Sequence, residues 1–253
     1  MQWYNRTFAA IRDDWITIET AEDIFTKLIE IRMIKKYKDE TKGYYLTALG
    51  FISKWMYYSP LDVFGWYVNF SRLYKDKLLH DDVAISWALA NINDINSDFA
   101  SKNELDECDH VQSRLFQLNL SHSEPVLKHI AAIYYLIIDQ KTDFLEHVKR
   151  QWQSDAERII QCIKLIDNMY TRFGLKEFFK ILELRLVYGT NAAEAQLCQV
   201  KGIGKKFASK LVKEGIETVE DIITNRDLVR KAVKGFADNI ITQAKSFLEV
   251  KNE

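Results

Sequence analysis

The residues best placed to do chemistry are two glycines and the lysines that follow them. Gly202-Ile203-Gly204 separates two stretches of helical apolar spacing. Glycines on either side of one apolar residue let the backbone turn sharply and leave no side chain in the way. Amides at the start of the second helix can then meet a phosphate oxygen, helped by the helix dipole, while Ile203 plugs between the helices. Five lysines and no acid lie between Lys201 and Lys213, a local positive charge that can neutralise phosphate. Gly215 ends the second helix, and Thr218 to Asp221 form a capping box for the next. The pattern reads as a helix-hairpin-helix, which holds nucleic-acid backbone without reading bases. The plainer reading is a glycine turn with a solvated basic face. Lys234-Gly235-Phe236 repeats the idea more weakly.

A second candidate is the helix expected over Asp155 to Phe173. Ile159, Ile163, Ile166, Tyr170 and Phe173 share one face and read as core. Arg158, Gln161, Leu165, Asn168 and Arg172 cluster roughly 140° away. Such a stripe can lie along a strand with guanidinium groups on phosphates or bases, although a polar stripe alone is more often a solvated face. Arg158, Leu165 and Arg172 are spaced by seven, so a straight helix would carry them in one line about 21 Å long.

Other chemistry is thinly represented. His80, Asp81 and Asp82 are contiguous and would point apart on a helix. His110, His122, His129 and His147 have no partner at ligand spacing. No G-x-S-x-G, H-E-x-x-H or P-loop sequence occurs, so no catalytic residue, metal site or cofactor is assigned. Trp55, Tyr57 and Tyr58 read as packing between segments rather than as a base-stacking platform.

The elements that must position these residues follow from composition. The chain has 253 residues, 13% aromatic, with a formal net charge of −1. That excludes a disordered chain and a uniformly basic nucleic-acid binder, and leaves room for a local basic patch. Two prolines and nine glycines disfavour many short strands and point to a mostly α fold. The scattered Cys108, Cys162 and Cys198 form no disulfide framework, which suggests a reducing compartment, cytoplasmic or nuclear. No apolar run is long enough for a membrane span, and no signal-peptide core opens the chain.

Three segments separate by pattern. Residues 1–60 carry a helix expected to start at a Thr20–Asp23 capping box, a hairpin over Ile34 to Leu46, and a helix capped by Thr47; helices with a small hairpin suggest a winged helix. Residues 61–189 look helical and slightly acidic, with a loop and short helix between Asn91 and Asp109 and a helix opened by Pro125. Residues 190–253 hold the glycine turn.

With these residues assembled, nearly the whole chain resembles the C-terminal half of the Ski-two-like, superfamily-two DNA repair helicases that unwind stalled forks. Met33-Ile34-Lys35-Lys36-Tyr37, Tyr44 to Lys54 and Ser59-Pro60 are similar to the end of that family's winged helix. Leu182 to Gly189, Val200 to Gly204 and Gly215 to Ile222 are similar to its passage from a helical ratchet domain into a terminal helix-hairpin-helix. The last match is the most specific. The resemblance implies that Arg158 touches a tracking single strand, with Leu165 where the family has a tryptophan. It also implies that Lys205 takes the place of the family's first hairpin arginine, with Phe207 and Ser209 replacing later ones and Lys206 and Lys210 compensating. The family's two motor domains are missing, so the chain is a fragment or a separate protein that does not turn over ATP alone. The expected function is sequence-independent binding of single-stranded or forked DNA in the service of a helicase motor subunit or another repair protein. A protein–protein adaptor and an RNA-helicase accessory module are the alternatives.

Overall fold

A computed structural model describes residues 18–39, 43–92 and 100–251. The described chain is mostly helical, with a small two-stranded antiparallel sheet. Helix α1 (Ile18–Glu30) leads into strands β1 (Ile34–Lys36) and β2 (Tyr44–Leu46), which pair with Ile34 opposite Leu46 and Lys36 opposite Tyr44. Helix α2 (Ala48–Met56) follows. The Thr47 hydroxyl accepts from the Gly50 amide at 3.2 Å, a regular N-cap, and donates to the Arg32 carbonyl at 2.5 Å. A Cβ at Gly50 would lie 2.1 Å from the Met33 carbonyl oxygen, so only glycine lets α2 pack this close to the hairpin's root. The expected capping box at Thr20–Asp23 does not open α1. The helix is already under way at Ile18, which puts Thr20 inside it.

The bundle comprises α3 (Pro60–Lys75), α4 (Asp82–Ala90), α5 (Lys102–Asp106), α6 (Asp109–Gln117), α7 (Glu124–Ile137), α8 (Glu146–Ile166) and α9 (Lys176–Tyr188). Pro60 and Pro125 sit in the first turns of α3 and α7, where a missing amide proton costs nothing. Helix α4 is apolar on every side and buried from Val83 to Ala90, so it forms the centre. Arg185 of α9 reaches inward to the Asp82 carboxylate (2.8 Å) and the Ile137 carbonyl (3.0 Å), tying α9 to α4 and α7. Of the stretch expected as a loop with a short helix, α5 and α6 are described; residues 93–99 lie outside the described residues.

Buried apolar side chains fall into two clusters. One runs from Ile31 to Leu186 and joins Met33, Ile34, Leu49 and Ile52 to the bundle without a break near residue 60. The other runs from Leu197 to Ala244. It is built from α10 (Ala192–Leu197), α11 (Lys205–Lys213), α12 (Val219–Thr224), α13 (Arg226–Val233) and α14 (Ala237–Lys251). The chain passes between them at Gly189, in a left-handed conformation (φ 59°), and at Asn191, whose side chain accepts from the Glu194 amide. No helix among the described residues is long and apolar enough to cross a membrane.

Candidate functional site

The turn between α10 and α11 is set by local sequence. Gly202 takes φ +91°, a left-handed conformation that residues with a Cβ seldom adopt. Ile203 is buried in the second cluster. Gly204 is the N-cap of α11, extended (φ −96°, ψ 176°), with no side chain to bond the free amides behind it. The Phe207 and Ala208 amides both bond the Gly204 carbonyl. A Cβ at Gly202 or at Gly204 would meet no heavy atom within 4 Å, so the turn is open to an approaching group.

Helix α11 is two-faced. Ala208 and Leu211 are buried and Phe207 lies against the Phe236 ring (5.2 Å between centroids). Lys206, Lys210 and Lys213, at spacings of four and three, form one row on the far side, and all three are exposed. The row is about 10 Å long, enough for more than one backbone phosphate. Lys213 completes it; its helical spacing from Lys206 was visible in the sequence, though only the packing of Ala208 and Leu211 shows which face is free. In the second turn, Lys234 opens a short 3-10 segment with φ 43° and ψ −119°, an unusual conformation for a side-chain-bearing residue.

Lys205 behaves differently. Its Nζ lies 2.5 Å from Asp139 Oδ1 and 2.7 Å from the Gly189 carbonyl, across to the C-terminal end of α7. Its side chain is therefore engaged with the bundle, not with the lysine row. Asp139 is 66 positions away, so nothing in the local sequence could have paired the two.

The stripe expected on the second helix does not form one line. The helix begins earlier than expected, at Glu146, and α-helical bonding ends at Ile166. A π-turn follows over Asp167–Thr171, with the Arg172 amide bonded to the Asp167 carbonyl, and Arg172 itself is left-handed at φ 54°. The buried Asp167 carboxylate accepts from the Thr171 hydroxyl and the Phe173 and Leu175 amides, which forces the chain to reverse. Arg172 is thus off the helix axis. Leu165 is half-buried and packs on the main core rather than lying free. Gln161 is exposed. The Arg158 guanidinium sits over the Tyr58 ring, 4.4 Å from its centroid. Burial pushes the Tyr58 hydroxyl up to about 12 against the lowering effect of Arg158. Ile159, Ile163 and Ile166 are buried as the apolar face requires.

Tyr58 also meets Trp66 edge-on, so it does pack between segments. Trp55 and Tyr57 do not: they are 59% and 90% exposed. Burial raises the thiols of Cys108 and Cys162 to about 12 and that of Cys198 to about 11, which keeps them protonated at neutral pH. No cluster of three or more metal-ligating side chains occurs among the described residues. No protein-family model matches the chain, and a comparison with curated proteins returns no match.

Proposed function

We propose that the chain binds nucleic-acid backbone without sequence preference, with single-stranded or forked DNA as its target, as the strand-holding part of a superfamily-two repair helicase. The observation that carries this reading is the α11 face. Lys206, Lys210 and Lys213 project away from the core beside a glycine turn whose approach is open. Lysines in a row neutralise phosphates, and open amides at a helix start add directed donors. In this reading the two glycine-turn units of the C-terminal module form a helix-hairpin-helix, and α1, the β-hairpin and α2 form a winged-helix-like unit. Their order along the chain follows the family resemblance, and the motor belongs to another chain or segment.

The test is fluorescence anisotropy with a labelled 20-nucleotide single strand, a fork and a duplex over a range of salt. The double change Lys206→Glu and Lys210→Glu should weaken binding to all three alike. It should also flatten the plot of log affinity against log salt by about 0.7–0.9 for each phosphate that is no longer neutralised. Competition with RNA of the same sequence separates a DNA from an RNA target. Unchanged affinity in the double variant, with its circular dichroism intact, would refute the reading. An adaptor role has one observation in its favour: Tyr57 holds a left-handed conformation (φ 56°) at the end of α2 while 90% exposed. A folding role would give its ring a partner, so a protein surface that buries it is the second reading.

A further inference from the structure

We propose that Asp139 is an internal competitor for the anion that the glycine turn takes up, so that Lys205 alternates between holding the C-terminal module on the bundle and holding a phosphate. This rests on the backbone-binding reading above. Lys205 is the first residue of α11 and belongs to the same turn as the open amides. Its side chain is rotated about 100° from Lys206 around the helix and ends on a carboxylate and a carbonyl of the bundle. The carboxylate offers Lys205 the charge and oxygen geometry that a phosphate would offer.

The partner atoms are held in place. Asp139 is left-handed (φ 56°), a conformation aspartate tolerates, and closes α7 through the bonds of its own amide to Leu136 and of the Gln140 amide to Tyr135. Gly189 is also left-handed, and a Cβ there would come within 3.0 Å of Leu136. Beside the clamp lies a polar cleft of about 130 Å³ lined by Asp139, Glu146, Lys149, Arg150, Gln153 and Lys205, among others. Lys149 in that cleft is spoken for by Glu146 (2.6 Å) and the Gln140 carbonyl (2.7 Å). The two buried clusters are separate, and besides the clamp the module meets α9 through Lys180, whose ammonium lies 5.5 Å from the centre of the Phe247 ring. A phosphate seated at Gly204 draws Lys205 from Asp139 and loosens the module. Conversely, the clamp lowers the resting affinity of the turn.

The experiment uses the full chain, a labelled oligo-dT 20-mer and four proteins: wild type, Asp139→Asn, Lys205→Gln and the double variant. Asp139→Asn should bind about two- to fivefold more tightly, the range expected for releasing a half-exposed ion pair. Its salt dependence should steepen by about 0.7, the increment for one further single-strand phosphate neutralised. In the Lys205→Gln background the same change should give no gain, because the released lysine is the source of the effect. No gain from Asp139→Asn overturns the proposal. So does an equal gain with and without Lys205, which would mark simple removal of negative charge. The Lys206→Glu and Lys210→Glu variant separates the two levels. If it abolishes binding while Asp139→Asn is silent, only the competitor fails. If oligo-dT binding ignores the lysine row, or neither wild type nor Asp139→Asn binds, the site and the competitor fail together.

Discussion

Replacing Gly204 with aspartate should stabilise the protein and cripple its binding at once. The Gly204 dihedrals of −96° and 176° lie near those of Asn191, −72° and 175°, whose side chain caps α10 by accepting from the Glu194 amide. An aspartate at Gly204 can cap α11 through the Lys206 amide, the Phe207 amide being bonded to the Gly204 carbonyl, and its Cβ meets nothing within 4 Å. The cap adds a few tenths of a kcal/mol over glycine, and the charge at a helix N-terminus adds about 0.3–1 kcal/mol. For a chain of this size the sum raises the melting temperature by about 1–4 °C. The same carboxylate occupies the amides a phosphate would use and repels it. Losing charge-assisted hydrogen bonds worth roughly 1.5–3 kcal/mol weakens binding about ten- to a hundredfold. The assays are thermal unfolding by circular dichroism and anisotropy with the 20-mer. Gly204→Ser, a cap without the charge, should fall between. A higher melting temperature with unchanged affinity would show that these amides do not meet phosphate, and a lower one would show that the capping argument is wrong.

Three further outcomes follow from single interactions. Arg158→Ala removes the stack on Tyr58 and should lower stability by about 0.5–1 kcal/mol; a melting temperature equal to wild type would show that the stack does not matter to folding. Burial lowers His129 to about 4 from 6.5, and its Nδ1 accepts from Trp152. The unfolded chain therefore takes up a proton that the folded one refuses as pH falls from about 6.5 to 4. Stability, fully present above 6.5, should drop across that window by up to about 3 kcal/mol. His129→Gln should flatten that acid limb in denaturant titrations, and an unchanged limb would exclude His129 as its cause. Lys234→Gly relieves a positive φ of 43° and should stabilise by roughly 1 kcal/mol in urea unfolding, a result that an unchanged or lower midpoint would contradict.

Local features were legible wherever the causes were local. The Gly202–Gly204 turn, the Thr218–Asp221 capping box and the Thr47 cap depend on groups within a few residues of one another, and the hairpin from Ile34 to Leu46 pairs residues at most twelve apart. The Thr20 cap misled because Thr and Asp at capping spacing also fit inside a helix that has already begun. The helix from Asp155 was read too far because Ile159, Ile163, Ile166, Tyr170 and Phe173 keep helical spacing through a π-turn. Tyr170 meets Tyr67 and Phe173 stacks on Tyr74, so both rings pack without a straight helix beneath them.

What composition and spacing alone decided is the mostly helical build and the glycine turn with lysines after it, because apolar periodicity and backbone freedom act over one or two turns. What only the tertiary structure decided is which charged groups remain free to act. Lys205 and Lys206 are neighbours of identical type, yet one is held by Asp139 and Gly189 and the other faces solvent. Arg158 lies on Tyr58, a hundred positions away along the chain. Pairing of charges and rings depends on distance in space, which the chain sets only when its buried clusters close.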